Sequence, residues 1–320
     1  MSERHQLGDT TLELVADSCM LAVLDQLSRG PARASEIERR APGIPRWTAL
    51  RRLQTLARNG YAGAVPERDA RTPRRGRPGG IRARYELTDL GRECLLEVSA
   101  TAVYWEQRWC SPPPEQPGPA GLWALKLVRD RHTRGLVRAL ADASLRPTEL
   151  EVRLTELGRS ALLDRLRSLT GCGVLLREEH PGEVRYALAD CARHLGLIVA
   201  RAAWCEGQRA SPADRALVSD LPGLLHLLAP LVRIPQDLSG ICRLRIEKAT
   251  LEAEIYLTAA SGRIAALGAA PTAAPQAVSH ASPRDWCGAL LHGDPSKIST
   301  TGDAMLGRAV LDGLSTALAE

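Results

Sequence analysis

The sequence predicts an α+β protein: two consecutive copies of one mostly helical unit, followed by a domain that mixes helices with a sheet. Three observations carry this. Sliding the chain by 113 residues aligns 15–61 with 128–174 without a gap, setting Val15 on Val128, Asp17 on Asp130, Arg33 on Arg146, Glu36 on Glu149, Arg52 on Arg165 and Gly60 on Gly173. A proline-rich run over 111–121, SPPPEQPGPAG, cannot continue a helix and divides the copies. Beyond residue 214 the apolar spacing changes to an alternation of period two. The expected boundaries are therefore 1–110, a linker over 111–121, 122–210 and 211–320, with each domain long enough to bury a core.

The elements follow in order. Leu14, Val15, Val23, Leu24 and Leu27 have helical spacing that ends at the Gly30-Pro31 breaker, which predicts one first helix. A short second helix is expected around 35–40 with Ser35 as its cap, then the turn Pro42-Gly43-Ile44-Pro45. The third helix, about 46–58, carries its apolar stripe on Leu50, Leu53, Leu56 and Ala57 and stops at Asn59-Gly60. Residues 61–65 and 81–87 read as a hairpin whose tip is rich in arginine. Three helices followed by a hairpin is the winged helix-turn-helix plan, and the second copy repeats it. After 214 come a leucine-rich helix over 216–232, strands at 241–246, 251–257 and 264–267, a helix over 285–291 and a last one over 303–318: an α+β domain with a meander sheet.

The run GPARASEIERRAPGIPRWTALRRLQTLARNGY, the junction Tyr85-Glu86-Leu87-Thr88-Asp89-Leu90-Gly91 and the later Trp105 resemble the HxlR-type winged-helix regulators, relatives of the MarR group. The likeness spans nearly all of 7–109 and is looser in the second copy, where Tyr186-Ala187-Leu188-Ala189-Asp190 and Trp204 stand at the matching places. Two departures stand out. Cys19 and His132 occupy the family's usual tryptophan position, and Pro45 and Gly158 replace the serine that opens its recognition helix. Such regulators act as dimers of single domains, so the resemblance implies a monomer that works as an intramolecular pseudo-dimer, or a homodimer, on double-stranded DNA.

A recognition helix enters the major groove with its N-terminal residues and solvent face toward the bases. In the first copy that face offers Arg46, Trp47, Thr48, Arg51 and Arg52; in the second, Arg159, Ser160 and Arg165, with Asp164 in place of Arg51. An arginine there pairs bidentately with guanine, whereas Asp164 repels phosphate; the plain alternative is arginine as a good helix former on a solvated face. Between Pro66 and Tyr85 lie Arg68, Arg71, Arg74, Arg75, Arg77, Arg82 and Arg84, and the tetrad Arg75, Gly76, Arg77, Pro78 resembles an AT-hook. Glycine allows close approach to a narrow minor groove, proline holds the backbone extended, and the groove's negative potential attracts arginine. Tyr104, Trp105, Trp109 and Trp204 are expected to pack one copy on the other.

The last third looks like the sterol-carrier-protein-like fold, through its alternating strands, the Trp286 helix and the segment from Ile298 to Asp303. That likeness implies an apolar ligand held by Leu244, Ile246, Ile255, Leu257, Ile264, Trp286, Leu290, Met305 and Leu306, most of which must also be plain core.

The chain carries 42 Lys+Arg against 37 Asp+Glu, a net +5, with only three lysines and no Phe. The charge is placed unevenly: +4 over 1–110, +3 over 111–210 and −2 over 211–320, so the first two thirds suit a polyanion and the last does not. Eight cysteines without a C-x-x-C pair read as buried thiols in a reducing cytoplasm. Cys191 and His194 stand at i, i+3 with Cys172, His180 and Cys205 nearby, but no paired knuckles suggest zinc, and no metal or cofactor is expected. Neither a signal peptide nor a membrane span is expected. No G-x-S-x-G, H-E-x-x-H, P-loop or G-x-G-x-x-G motif is present, so an enzyme is not expected. The leading reading is a sequence-specific transcription regulator that responds to an apolar small molecule. A sequestering or self-resistance protein, or an enzyme acting on DNA bases, stands as the alternative.

Overall fold

The computed structural model describes residues 9–65, 83–110, 119–141, 143–207, 214–248, 251–267 and 270–319. The expected single first helix is two: α1 (Asp9–Val15) and α2 (Ser18–Ser28). Asp17 between them is extended, and its carboxylate accepts the Met20 N–H, so α2 restarts with its own cap. Helix α3 (Ala34–Arg40) begins one residue before the expected Ser35 cap. Its N-terminus is closed by the Glu36 carboxylate, which takes the Arg33 N–H at 3.0 Å. Helix α4 (Arg46–Arg58) buries Ala49, Leu50, Leu53 and Leu56 and stops at Gly60, whose φ of +76° is left-handed.

Strands β1 (Ala62–Val65) and β2 (Arg84–Leu87) pair antiparallel, and Ala32 adds a bridge to Tyr85. The chain then runs through α5 (Asp89–Gly91), a π-helical turn (Arg92–Leu96) and α6 (Glu97–Trp109). Gly91 is required at this junction, because a Cβ there would come 2.0 Å from the Tyr61 carbonyl oxygen. Thr88 ties the corner, giving its hydroxyl proton to the Gly60 carbonyl and accepting the Gly91 N–H.

The same order recurs as α7 (Leu122–Arg129), α8 (Arg131–Ala139), α9 (Pro147–Arg153), α10 (Arg159–Gly171), β3 (Leu175–His180), β4 (Glu183–Leu188) and α11 (Asp190–Gly207). The correspondence reaches single bonds. Asp130 caps α8 as Asp17 caps α2, Glu149 takes the Arg146 N–H as Glu36 takes that of Arg33, and Leu145 bridges Tyr186 as Ala32 bridges Tyr85. The hairpins differ: β3 and β4 join through Pro181-Gly182 alone.

The two repeats share one hydrophobic cluster, with α6 lying against α11. Trp105, buried in it, stacks on Trp123 at 5.4 Å and donates its indole N–H to the Cys191 carbonyl at 2.7 Å; Trp109 lies over His194. Caps are exchanged across the contact. The Glu106 carboxylate on α6 accepts the Gly121, Trp123 and Ala124 N–H groups at the start of α7, and Glu206 on α11 accepts the Thr11 N–H of α1. Two aromatics depart from the expected packing. Tyr104 is 51% exposed, and Trp204 turns to the C-terminal core, where Gly288 admits its ring.

After α12 (Asp214–Leu228) come β5 (Gly240–Lys248), β6 (Leu251–Ala260), β7 (Arg263–Leu267), β8 (Ala277–Ala281), α13 (Pro283–His292), β9 (Ser299–Gly302) and α14 (Ala304–Ala319). The sheet order is β7-β6-β5-β8-β9 with β5 and β8 parallel, so the expected meander holds only for β5 to β7. One face of the sheet presents Cys242, Leu244, Ile246, Ile255 and Leu257 to α12, α13 and α14. The other carries an ion ladder of Arg243, Arg245, Glu247 and Glu254.

Because Glu106 closes three otherwise orphaned donors of α7, Glu106→Ala is expected to lower stability by about 1–2 kcal/mol in urea unfolding. An unchanged midpoint would show that the exchanged cap is not a stabilising contact.

Candidate nucleic-acid interface

Helix α4 stands away from the core on one long side. Arg46, Trp47 and Arg51 are exposed, Trp47 at 68%, and Thr48 is half-buried at the edge of the stripe. The serine cap expected to be missing at Pro45 is replaced from α3: the Glu38 carboxylate accepts the Arg46 N–H at 3.1 Å. Among the described residues no ion pair reaches the Arg46 or Arg51 side chain, so both guanidinium groups face solvent with their charge intact.

Arg52 does something else. It turns back to Asp17 at 2.8 Å, so the group that caps α2 also anchors α4. Arg52, expected among the base-reading residues, is thus held on a half-buried carboxylate as a brace. Arg165 repeats the brace in the second copy, on Asp130 and on the Thr133 hydroxyl at 3.1 Å. Internal duplication held the clue, since both an aspartate and an arginine recur at the same spacing in each copy.

The matched face of α10 has little free charge. Arg159 pairs with Glu151 at 3.3 Å, Arg167 pairs with Asp164 at 2.7 Å, Arg165 is the brace, and Ser160 is exposed beside them. The adjoining hairpin is also internally paired, through Arg177 with Glu179 and Arg185 with Glu183. Two equivalent helices thus differ in the amount and availability of positive charge.

Arg68, Arg71, Arg74, Arg75, Gly76, Arg77 and Arg82 lie outside the described residues. Arg84, at the base of that hairpin, is drawn inward to Glu36 at 3.5 Å and to the Pro31 carbonyl. Burial pushes the Glu36 carboxyl up, but the Arg33 N–H and the Arg84, Arg33 and Arg40 guanidinium groups outweigh it and hold it below the usual range. Glu149 is held low by the Arg146 N–H and side chain. A depressed folded value means a contribution present at neutral pH and lost as pH falls through that value. A Glu36→Gln, Glu149→Gln variant is therefore expected to show a flatter loss of stability below about pH 5 than the parent, read by urea midpoints. Parallel curves would contradict it.

In the C-terminal region Leu244, Ile246, Ile255, Leu257, Ile264, Trp286, Leu290 and Leu306 are buried against one another, and the Trp286 indole N–H is satisfied by the Arg245 carbonyl. These side chains, expected to hold an apolar ligand, form one buried cluster. Met305, which is exposed, lines a hollow of about 610 Å³ between α14 and 231–238. A second, smaller cavity of about 100 Å³ lies between α7, α8, α11 and α12. Burial pushes the Cys191 thiol up to about 11, where it donates to the Gly173 carbonyl, and His194 lies on Trp109. Among the described residues no three metal-binding side chains converge.

The brace and the solvent-facing arginine separate in a simple comparison. Arg52→Ala is expected to cost about 1 kcal/mol of stability, while Arg51→Ala stays within about 0.5 kcal/mol of the parent. Equal losses would remove the distinction.

A comparison with curated proteins finds no match for the chain. Residues 14–113 match the family model described as HxlR-like helix-turn-helix, a span that takes in α2 to α6 with the hairpin between them. Over that span, which covers the first repeat, the chain is similar to HxlR-like helix-turn-helix domains.

Proposed function

We propose that the chain is a sequence-specific DNA-binding transcription regulator that reads its site with α4 and uses the second repeat as a built-in partner. The observation that carries this is the contrast between equivalent helices: Arg46 and Arg51 face solvent unpaired on α4, whereas every arginine of α10 is held by an acid. The reciprocal caps supplied by Glu106 and Glu206 have the form of an isologous dimer interface, in which each half gives the other the same contact. This supports reading the repeats as tandem winged helices forming an intramolecular pseudo-dimer, with one DNA-reading face rather than two. The arginine-rich segment between β1 and β2 then lies in the adjacent minor groove in the manner of an AT-hook, where Arg75 and Arg77 supply charge along the groove floor. The C-terminal layer of helices on one sheet face supports the sterol-carrier-like reading of its architecture, and a small molecule bound in this chain would bias the DNA-bound state.

Mobility shifts with the DNA flanking the chain's own gene, at stated salt, test this. Arg51→Ala is expected to weaken specific binding roughly 10- to 100-fold, as loss of a bidentate base contact does, while Arg159→Ala leaves it nearly unchanged. Arg75→Ala with Arg77→Ala is expected to lower the salt slope by about one unit per lost phosphate contact. Specific binding that survives Arg51→Ala unaltered would overturn the assignment of α4.

A further inference from the structure

The cavity between α7, α8, α11 and α12 exists because the second repeat is smaller there than the first. The 113-residue alignment sets Thr133, Arg134 and Gly135 against Met20, Leu21 and Ala22, and the strand-to-helix junction sets Gly196 against Leu95. Met20, Leu21 and Leu95 are buried, so the first repeat packs large apolar side chains at positions the second leaves to smaller or polar ones. Helix α12 comes in close over the gap. A Cβ on Gly196 would meet Leu227 at 2.8 Å, and one on Gly223 would meet the Arg138 guanidinium at 2.8 Å. What remains is a hollow of about 100 Å³, walled by Val128, Val137, Leu195, Val199 and Leu224, with half-buried Arg134 and exposed Arg138 in its rim.

We propose that this hollow is the chain's small-molecule site and that it takes a compact apolar acid about the size of one aromatic ring. A dry apolar cavity of roughly this size, about 150 Å³, admits a benzene-sized molecule, and a guanidinium at the rim pairs with the carboxylate that such a molecule directs outward. The wall includes Thr133, whose hydroxyl donates to Asp130 at 2.6 Å and accepts from Arg165. An occupant therefore presses on the brace that sets α10, and on α11, which also carries the contact with the first repeat. The effect on DNA rests on the regulator reading above; the binding itself does not.

Saturation-transfer NMR titrations of the full chain with benzoate and with toluene test the site without DNA. Benzoate is expected to bind with a Kd of roughly 1 mM, and toluene roughly fivefold more weakly or worse. Val199→Trp, which fills the hollow, is expected to abolish both signals in a chain whose circular dichroism is unchanged. Arg134→Gln is expected to bring benzoate down to the level of toluene and leave toluene as it was, a readout that remains if the tryptophan variant fails to fold. Absence of benzoate binding to the parent, or benzoate binding indifferent to Arg134→Gln, would overturn the proposal, as would toluene binding as tightly as benzoate. Failure here leaves the mobility-shift result standing, and failure there leaves this titration standing.

Discussion

Helix α11 buries residues in two directions at once. Leu195, Ile198 and Ala202 enter the cluster shared by the two repeats, and Leu197, Ala200 and Ala203 enter the cluster beneath the C-terminal sheet. Its first turn receives the Trp105 indole proton, and its far end caps α1 through Glu206. Buried apolar surface of this kind is non-directional, so these bonds fix its register, against α6 at the first turn and against α1 at the far end. Remove that register and the relative placement of α4, α10 and the sheet is no longer defined.

Given this frame, the division of labour between the repeats follows from a few charges. Both use the same brace, an aspartate that caps one helix and holds an arginine of another, which costs little because the carboxylate stays half-exposed. They diverge where the brace ends. In the first repeat nothing acidic lies on α4, and among the described residues no ion pair reaches the Arg46 and Arg51 guanidinium groups. In the second, Glu151 and Asp164 consume the equivalent charge locally. In the proposed function this makes the second repeat the scaffold, and the hollow beside α12 lies in that repeat rather than in the one proposed to read DNA.

Much of this was legible in the chain. The duplication, the apolar stripe of α4 and the glycine stop at residue 60 follow from spacing and backbone geometry that single residues enforce. The break between α1 and α2 was not, because the apolar spacing from Leu14 to Leu27 runs across it, while the break itself rests on one cap, the Asp17 carboxylate on the Met20 N–H. Strand β8 was missed because its inward residues, Ala277, Ser279 and Ala281, are small, and its buried hydroxyl finds a partner in Thr300 only across the sheet pairing that the fold creates. The brace made by Arg52 was not legible for a related reason: its partner Asp17 lies 35 positions away, and the spacing on α4 alone does not show the contact. The interior of the C-terminal layer shows the same limit, since alternating apolar residues signal a buried face without revealing whether it is filled.

The central claim is that one chain presents one DNA-reading helix. Hydroxyl-radical footprinting at saturating protein, combined with the stoichiometry of the complex by native mass, tests it most directly. The account predicts one chain per site, with protection around a single half-site and its adjoining minor groove. Two equivalent protected blocks one helical turn apart under a single chain would show that α10 also reads DNA, and would contradict it.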